Sequence, residues 1–103
     1  MKNFLKKLKD SVLANTEQKN NELWDVEGVL HNQKFKFDLR PIINNCKIGS
    51  FATKADKMVF DLKNEYIIVD VQELHRYLKE NNIKNVHLQS LISKLEWNIM
   101  LSK

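Results

Sequence analysis

Few residues of this chain are of types that do chemistry, and their spacing decides what they could do together. His31, His75 and His87 lie far apart in the sequence, with Cys46 the single cysteine to supplement them. No pair shows the short local spacing of a zinc-binding motif, so solvated or hydrogen-bonded histidines are expected, with no metal. Cys46 stands between Asn45 and Lys47. A neighbouring cation favours the thiolate, but a nucleophile also needs a base within hydrogen-bond reach, and no motif announces one. Asp25, Glu27 and Asp38 fall close to Lys34, Lys36 and Arg40 and could form an acid and base pair. Cross-strand charge pairing on a wet face explains them more simply. With two glycines in the whole chain there is no room for a glycine-rich phosphate loop. The expectation is a protein without a cofactor that is not an enzyme; a thiol- or histidine-dependent enzyme is the most distant reading.

Charge is informative once it is located. The net charge is +4, and Lys2, Lys6, Lys7 and Lys9 supply that excess, because acids balance bases over the rest of the chain. Of the basic residues only Arg40 and Arg76 are arginine, the type suited to bidentate phosphate and guanine contacts. A nucleic-acid-binding domain spreads basic residues over a folded face; here they crowd one end. The lone cysteine fits a reducing, cytoplasmic compartment. Lys6, Lys7 and Lys9 interrupt any apolar signal-peptide segment, and no uncharged run is long enough to cross a bilayer.

The elements that must position these residues follow from periodicity. Phe4, Leu5, Leu8, Val12 and Leu13 share one side at helical spacing, which predicts an amphipathic helix over 3–16 followed by a polar loop over 15–21. Phe35, Phe37 and Leu39 alternate with charged residues, which predicts a strand ending at Pro41. A turn at His31-Asn32 pairs it with the segment from Trp24, placing Val26 opposite Phe37 and Gly28 opposite Phe35, where the glycine leaves space for the Phe35 ring. A second hairpin is expected over 57–70, turning at Lys63-Asn64. Its apolar residues on both faces suggest a central position covered by helices. Residues 47–53 read as a weaker strand. Asp70-Val71-Gln72-Glu73 reads as a capping box, opening a helix that buries Val71, Leu74 and Leu78 and stops at Asn81-Asn82. Leu88, Leu91, Ile92 and Leu95 predict a last helix, with a short closing strand over 97–101.

Together these predict one α+β domain over 1–103: an N-terminal amphipathic helix, an antiparallel sheet of about four strands in two hairpins, two C-terminal helices and a short final strand. The functional expectation is a small non-enzymatic protein-interaction or regulatory protein, such as a viral, phage or mobile-element accessory factor. Trp24, Phe35 and Phe37, or an uncovered strand edge, would meet another protein. The alternative is a nucleic-acid-binding regulator that uses the C-terminal helix pair through Gln89 and Lys94. Lys2, Lys6, Lys7 and Lys9 could also meet nucleic acid or a membrane surface, and self-association is a further option. The N-terminal stripe covers either its own sheet or a partner.

Overall fold

A computed structural model describes residues 2–41, 47–48, 52–82 and 86–103. Its elements begin with α1 (Lys2–Leu5), β1 (Lys9–Leu13), α2 (Thr16–Glu22), β2 (Val26–Leu30), β3 (Gln33–Pro41) and β4 (Lys47–Ile48). They continue with β5 (Lys57–Asp61), β6 (Glu65–Asp70), α3 (Val71–Glu80), β7 (Val86–His87), α4 (Leu88–Lys94) and β8 (Asn98–Ser102). Six strands form one mixed sheet in the order β1-β2-β3-β5-β6-β8, and β4 pairs with β7 in a separate ribbon. This overturns the four-stranded antiparallel sheet with an N-terminal amphipathic helix. The broad α+β class still fits, since most neighbouring strands are antiparallel and helices pack on the sheet.

Both hairpins take the expected register. Val26 pairs with Phe37 and Gly28 with Phe35, and His31 and Asn32 turn the chain at φ of 51° and 67°. Two left-handed residues in succession are what a type I′ turn requires. In the second hairpin Met58 meets Val69 and Phe60 meets Ile67, while Asp61 meets Tyr66. The two hairpins are joined by a parallel pairing of β3 with β5, from Phe37 beside Lys57 to Pro41 beside Asp61. Parallel neighbours need a long crossover, and the chain over 42–56 makes it. Asp56 closes that crossover: its N–H donates to the Lys36 carbonyl and its carboxylate accepts from the Lys36 N–H, each at 2.8 Å. Of the weaker strand expected over 47–53, only Lys47–Ile48 is a described strand.

The N-terminal segment departs furthest from expectation. Its helix ends at Leu5, and the Lys7 and Leu8 amides close tight turns onto the Phe4 and Leu5 carbonyls at 2.9 and 3.1 Å. Asp10 then adopts a left-handed φ of 54°, and Lys9–Leu13 becomes a strand beside β2. Gly28 permits the approach. A Cβ there would stand 3.0 Å from Leu8 Cδ1 and 3.4 Å from the Lys9 carbonyl, so this glycine accommodates Leu8 and the Lys9 backbone rather than the Phe35 ring. A short isolated helix is marginal, whereas pairing with β2 satisfies backbone groups along both strands.

Residues 15–21 are not simply a loop, because most of them belong to α2. Asn15 caps it, accepting from the Gln18 N–H at 2.8 Å while its own N–H donates to Gln18 Oε1 at 3.0 Å. No residue of α2 is buried, so apolar periodicity could not reveal it. The Asn-x-x-Gln spacing was the available signal.

Two apolar clusters lie on opposite faces of the sheet. Helices α3 and α4 set Leu74, Leu78, Leu88 and Leu91 against Met58, Phe60, Ile67 and Val69. On the other face Phe4, fully buried, packs with Val26, Phe37, Val59, Tyr66 and Ile68. Its ring stands edge-on to Phe37 and Tyr66, with centroids 5.3 and 5.2 Å away. Burying such a side chain contributes about 1.5–3 kcal/mol, enough to hold a four-residue helix that could not persist alone. The apolar stripe at this end therefore covers its own sheet through Phe4, Leu5 and Leu8.

Asp70 caps α3, accepting from the Glu73 N–H at 3.1 Å. The capping box, however, is not closed by Glu73, whose Oε1 instead accepts from the backbone N–H groups of Glu96 and Trp97. That carboxylate fastens the turn into β8, which pairs with β6 through five consecutive residue pairs. Between α3 and α4 the chain forms β7, so these helices lack the brief turn of a helix-turn-helix.

Candidate functional site

Most of the residues singled out by type are occupied in structural work. Asp38 is buried at 4% exposure, not solvent-facing, and binds Arg40 in a two-pronged pair of 2.8 and 2.9 Å. Arg40 also donates to the Ala52 carbonyl at 3.2 Å. The bond to Asp38 raises the Arg40 pKa above its ordinary value against the opposing effect of burial, so this guanidinium is a fixed cation and no proton donor. Asp25 accepts from the Leu39 N–H at 2.8 Å and meets Lys19 at 3.4 Å. Glu27 meets Lys34 at 3.4 Å. Asp25 and Asp38 are thus held by backbone and ion-pair contacts, and Glu27 by a solvent-facing ion pair, as cross-strand charge pairing would have it.

The aromatic residues are equally engaged. Trp24 is 2% exposed and Phe37 fully buried, so neither offers surface to a partner in this conformation, whereas Phe35 is half-buried. The Trp24 indole N–H donates to Glu22 Oε1 at 3.1 Å, and the Lys36 ammonium lies 5.3 Å from its ring centre. Phe35 belongs to a second arrangement around Lys57. This ammonium sits 3.8 Å from the Trp97 ring centre, 4.7 Å from that of Phe35 and 2.8 Å from the Asp70 carboxylate. A cation desolvated between aromatic faces gains from their quadrupoles, and the ion pair ties β5 to the cap of α3. Tyr66, buried beneath Phe4, has its pKa raised by burial, with Lys103 opposing the shift.

His31 and His75 are exposed at the β2–β3 turn and on α3, and Cys46 falls outside the described residues. His87 belongs to β7. Among the described residues no three His, Cys, Asp or Glu side chains converge as metal ligands, and no helix is long and apolar enough to cross a membrane. Gln89 and Lys94 both belong to α4, with Lys94 exposed. The groove between α3 and α4 is lined by Glu73, Glu80 and Glu96 as well as by Arg76 and Lys94, a mixed charge poorly matched to phosphate. Lys2 lies in α1, which packs through Phe4 on the sheet.

What remains is the edge at β1. Every residue of this strand is exposed, with Val12 at 58% and Leu13 at 56%. The pairing with β2 shifts register between Lys9 and Val12, and beyond the strand the Ala14 N–H donates to the Asp25 carbonyl at 2.9 Å. Successive amides of an extended chain point to opposite sides, so the Leu13 N–H faces the open edge. Lys19, Lys34, Lys36, Arg40, Lys57 and Lys103 each have a carboxylate partner. Lys6, Lys7 and Lys9 are exposed and have none among the described residues.

Beside this edge runs a groove with Leu8, Val29, Leu30 and Leu101 in its walls and Lys7, Lys9 and His31 at its rim. Leu101 belongs to β8, at the far end of the strand order. In a flat sheet five spacings of about 4.8 Å would hold β1 and β8 roughly 24 Å apart. The sheet therefore curls until its two edges approach each other across the Phe4 cluster, without closing. Sequence reasoning named an uncovered strand edge without placing it, and read these residues as a helix because their apolar spacing fits a helical stripe. Comparison with protein families, with curated proteins and with solved structures finds no match to this chain.

Proposed function

We propose that this is a non-enzymatic protein-interaction or regulatory protein whose contact surface is the open edge of β1. The observation that carries the reading is a strand exposed along its whole length, with Val12 and Leu13 uncovered and an amide turned outward. Such an edge is a ready template for a strand from another chain. The engagement of Asp25, Glu27 and Asp38 in ion pairs and backbone bonds supports the non-enzymatic part. Trp24 and Phe37, being buried, are set aside as contact residues in favour of Val12 and Leu13.

The test is affinity purification of the full chain with and without Leu13→Pro. Proline removes the outward N–H and is tolerated on sheet edges, so the fold should persist while partners are lost. Met100→Pro on β8 is the matched control, since Met100 is likewise exposed at 59%. Partners retained by Leu13→Pro and lost from Met100→Pro would sink the assignment to β1.

A further inference from the structure

The character of the β1 edge narrows the partner, on the reading that this edge is the contact surface. We infer that it takes an extended, acidic segment of another protein, added as a strand beside Val12 and Leu13 with carboxylates over Lys6, Lys7 and Lys9. Three observations combine. The first is charge: Lys6, Lys7 and Lys9 are exposed and have no carboxylate partner among the described residues, as is also true of Lys54, Lys63, Lys79 and Lys94, but here three such lysines stand within four positions. Asp10 lies among them, exposed, and leaves the cluster positive. The second is the neighbouring groove, which meets β1 at Lys9 and is lined by Leu8, Val29, Leu30 and Leu101 together with Lys7, His31 and Asn32. A segment alternating apolar and acidic residues would fill the walls with one set and meet the rim with the other. The third is the outward amide of Leu13, which supplies main-chain bonding that no side-chain recognition replaces.

A second copy of the chain fits this edge poorly. Parallel self-pairing along β1 would set the lysine clusters of both copies side by side, where like charges oppose the contact, whereas antiparallel self-pairing places Lys9 of one copy toward Leu13 of the other and keeps the clusters apart. The shift in register between Lys9 and Val12 interrupts the flat ladder that edge-to-edge association needs. A membrane surface also fits poorly, because Phe4 is fully buried in the protein and cannot enter the lipid interface.

The test uses the isotopically labelled full chain and two short peptides, one alternating glutamate with valine and one alternating lysine with valine. The glutamate peptide should shift the Val12, Leu13 and Ala14 amides, and binding should weaken about tenfold on Lys6→Glu/Lys7→Glu/Lys9→Glu substitution or in high salt. Leu13→Pro should abolish it. The triple lysine variant changes only exposed side chains, so it tests the charge term even if Leu13→Pro fails to fold. Equal binding of both peptides at β1 would overturn the acidic preference and leave the edge as a contact surface. Shifts confined to other elements, concentration-dependent self-association through β1, or binding to phosphatidylserine vesicles without binding to the peptide would each overturn the inference.

Discussion

The two edges of the sheet are finished in opposite ways. At β8 the last strand is held by its neighbours on several sides. It pairs with β6 over five residues, Glu73 receives the amides that lead into it, and Lys103 meets Asp61 at 2.6 Å. Trp97, just before it, stacks edge-on with Phe35 at 6.4 Å and covers Lys57. At β1 the strand has three paired positions with a shift among them, every residue exposed where Asn98, Ile99 and Leu101 of β8 are half-buried, and lysines without carboxylate partners among the described residues. Both are edges of one curled sheet, yet only β8 is knitted into the core. An edge that contributes little to stability is free to be shaped by binding instead.

Substitutions can break or sharpen this contrast. The largest effect is expected from Trp97→Ala, which removes a partly buried ring and uncovers the Lys57 ammonium. Chemical denaturation should show a loss of about 2–3 kcal/mol, below the range for a fully buried tryptophan. A loss under 0.5 kcal/mol would mean that β8 is no better secured than β1. Glu73→Ala comes next. It removes the acceptor for two backbone N–H groups, and the midpoint should fall by an amount equivalent to about 1–2 kcal/mol. The smallest effect belongs to β1 itself: Val12→Thr with Leu13→Thr should change stability by less than about 0.5 kcal/mol, since both side chains are already in solvent. A loss as large as that of Trp97→Ala would show β1 to be part of the core.

The same contrast explains what could be read from the sequence. Both hairpins were legible because tight turns make their partners local, and because a one-residue slip would turn Phe35, Phe37 and Leu39 out of the core. Helix α3 was legible from its Asp70 cap and its Val71, Leu74 and Leu78 stripe. The pairing of β3 with β5 was not, since a parallel partner across a crossover leaves no local mark. Helix α2 buries nothing and left only Asn15 and Gln18 as a trace. At β1 the apolar residues happened to fit helical spacing, and only the tertiary fit of Leu8 over Gly28 decides against a helix. The candidate site suffered for the same reason. The lysines could be found in the sequence, but their place beside an open strand edge depends on that misread segment. Trp24 and Phe37 were sought at the surface because aromatic content alone cannot tell a core ring from a contact ring.

The claim that β8 is closed into the fold while β1 is left for a partner can be read directly by amide hydrogen exchange on the full chain. In the free protein the β1 amides bonded to β2 should exchange at least tenfold faster than those of β8 bonded to β6. Adding the glutamate and valine peptide should slow exchange at Leu13 and leave β8 unchanged. Equal protection of the two edges in the free chain, or new protection appearing on β8, would contradict it.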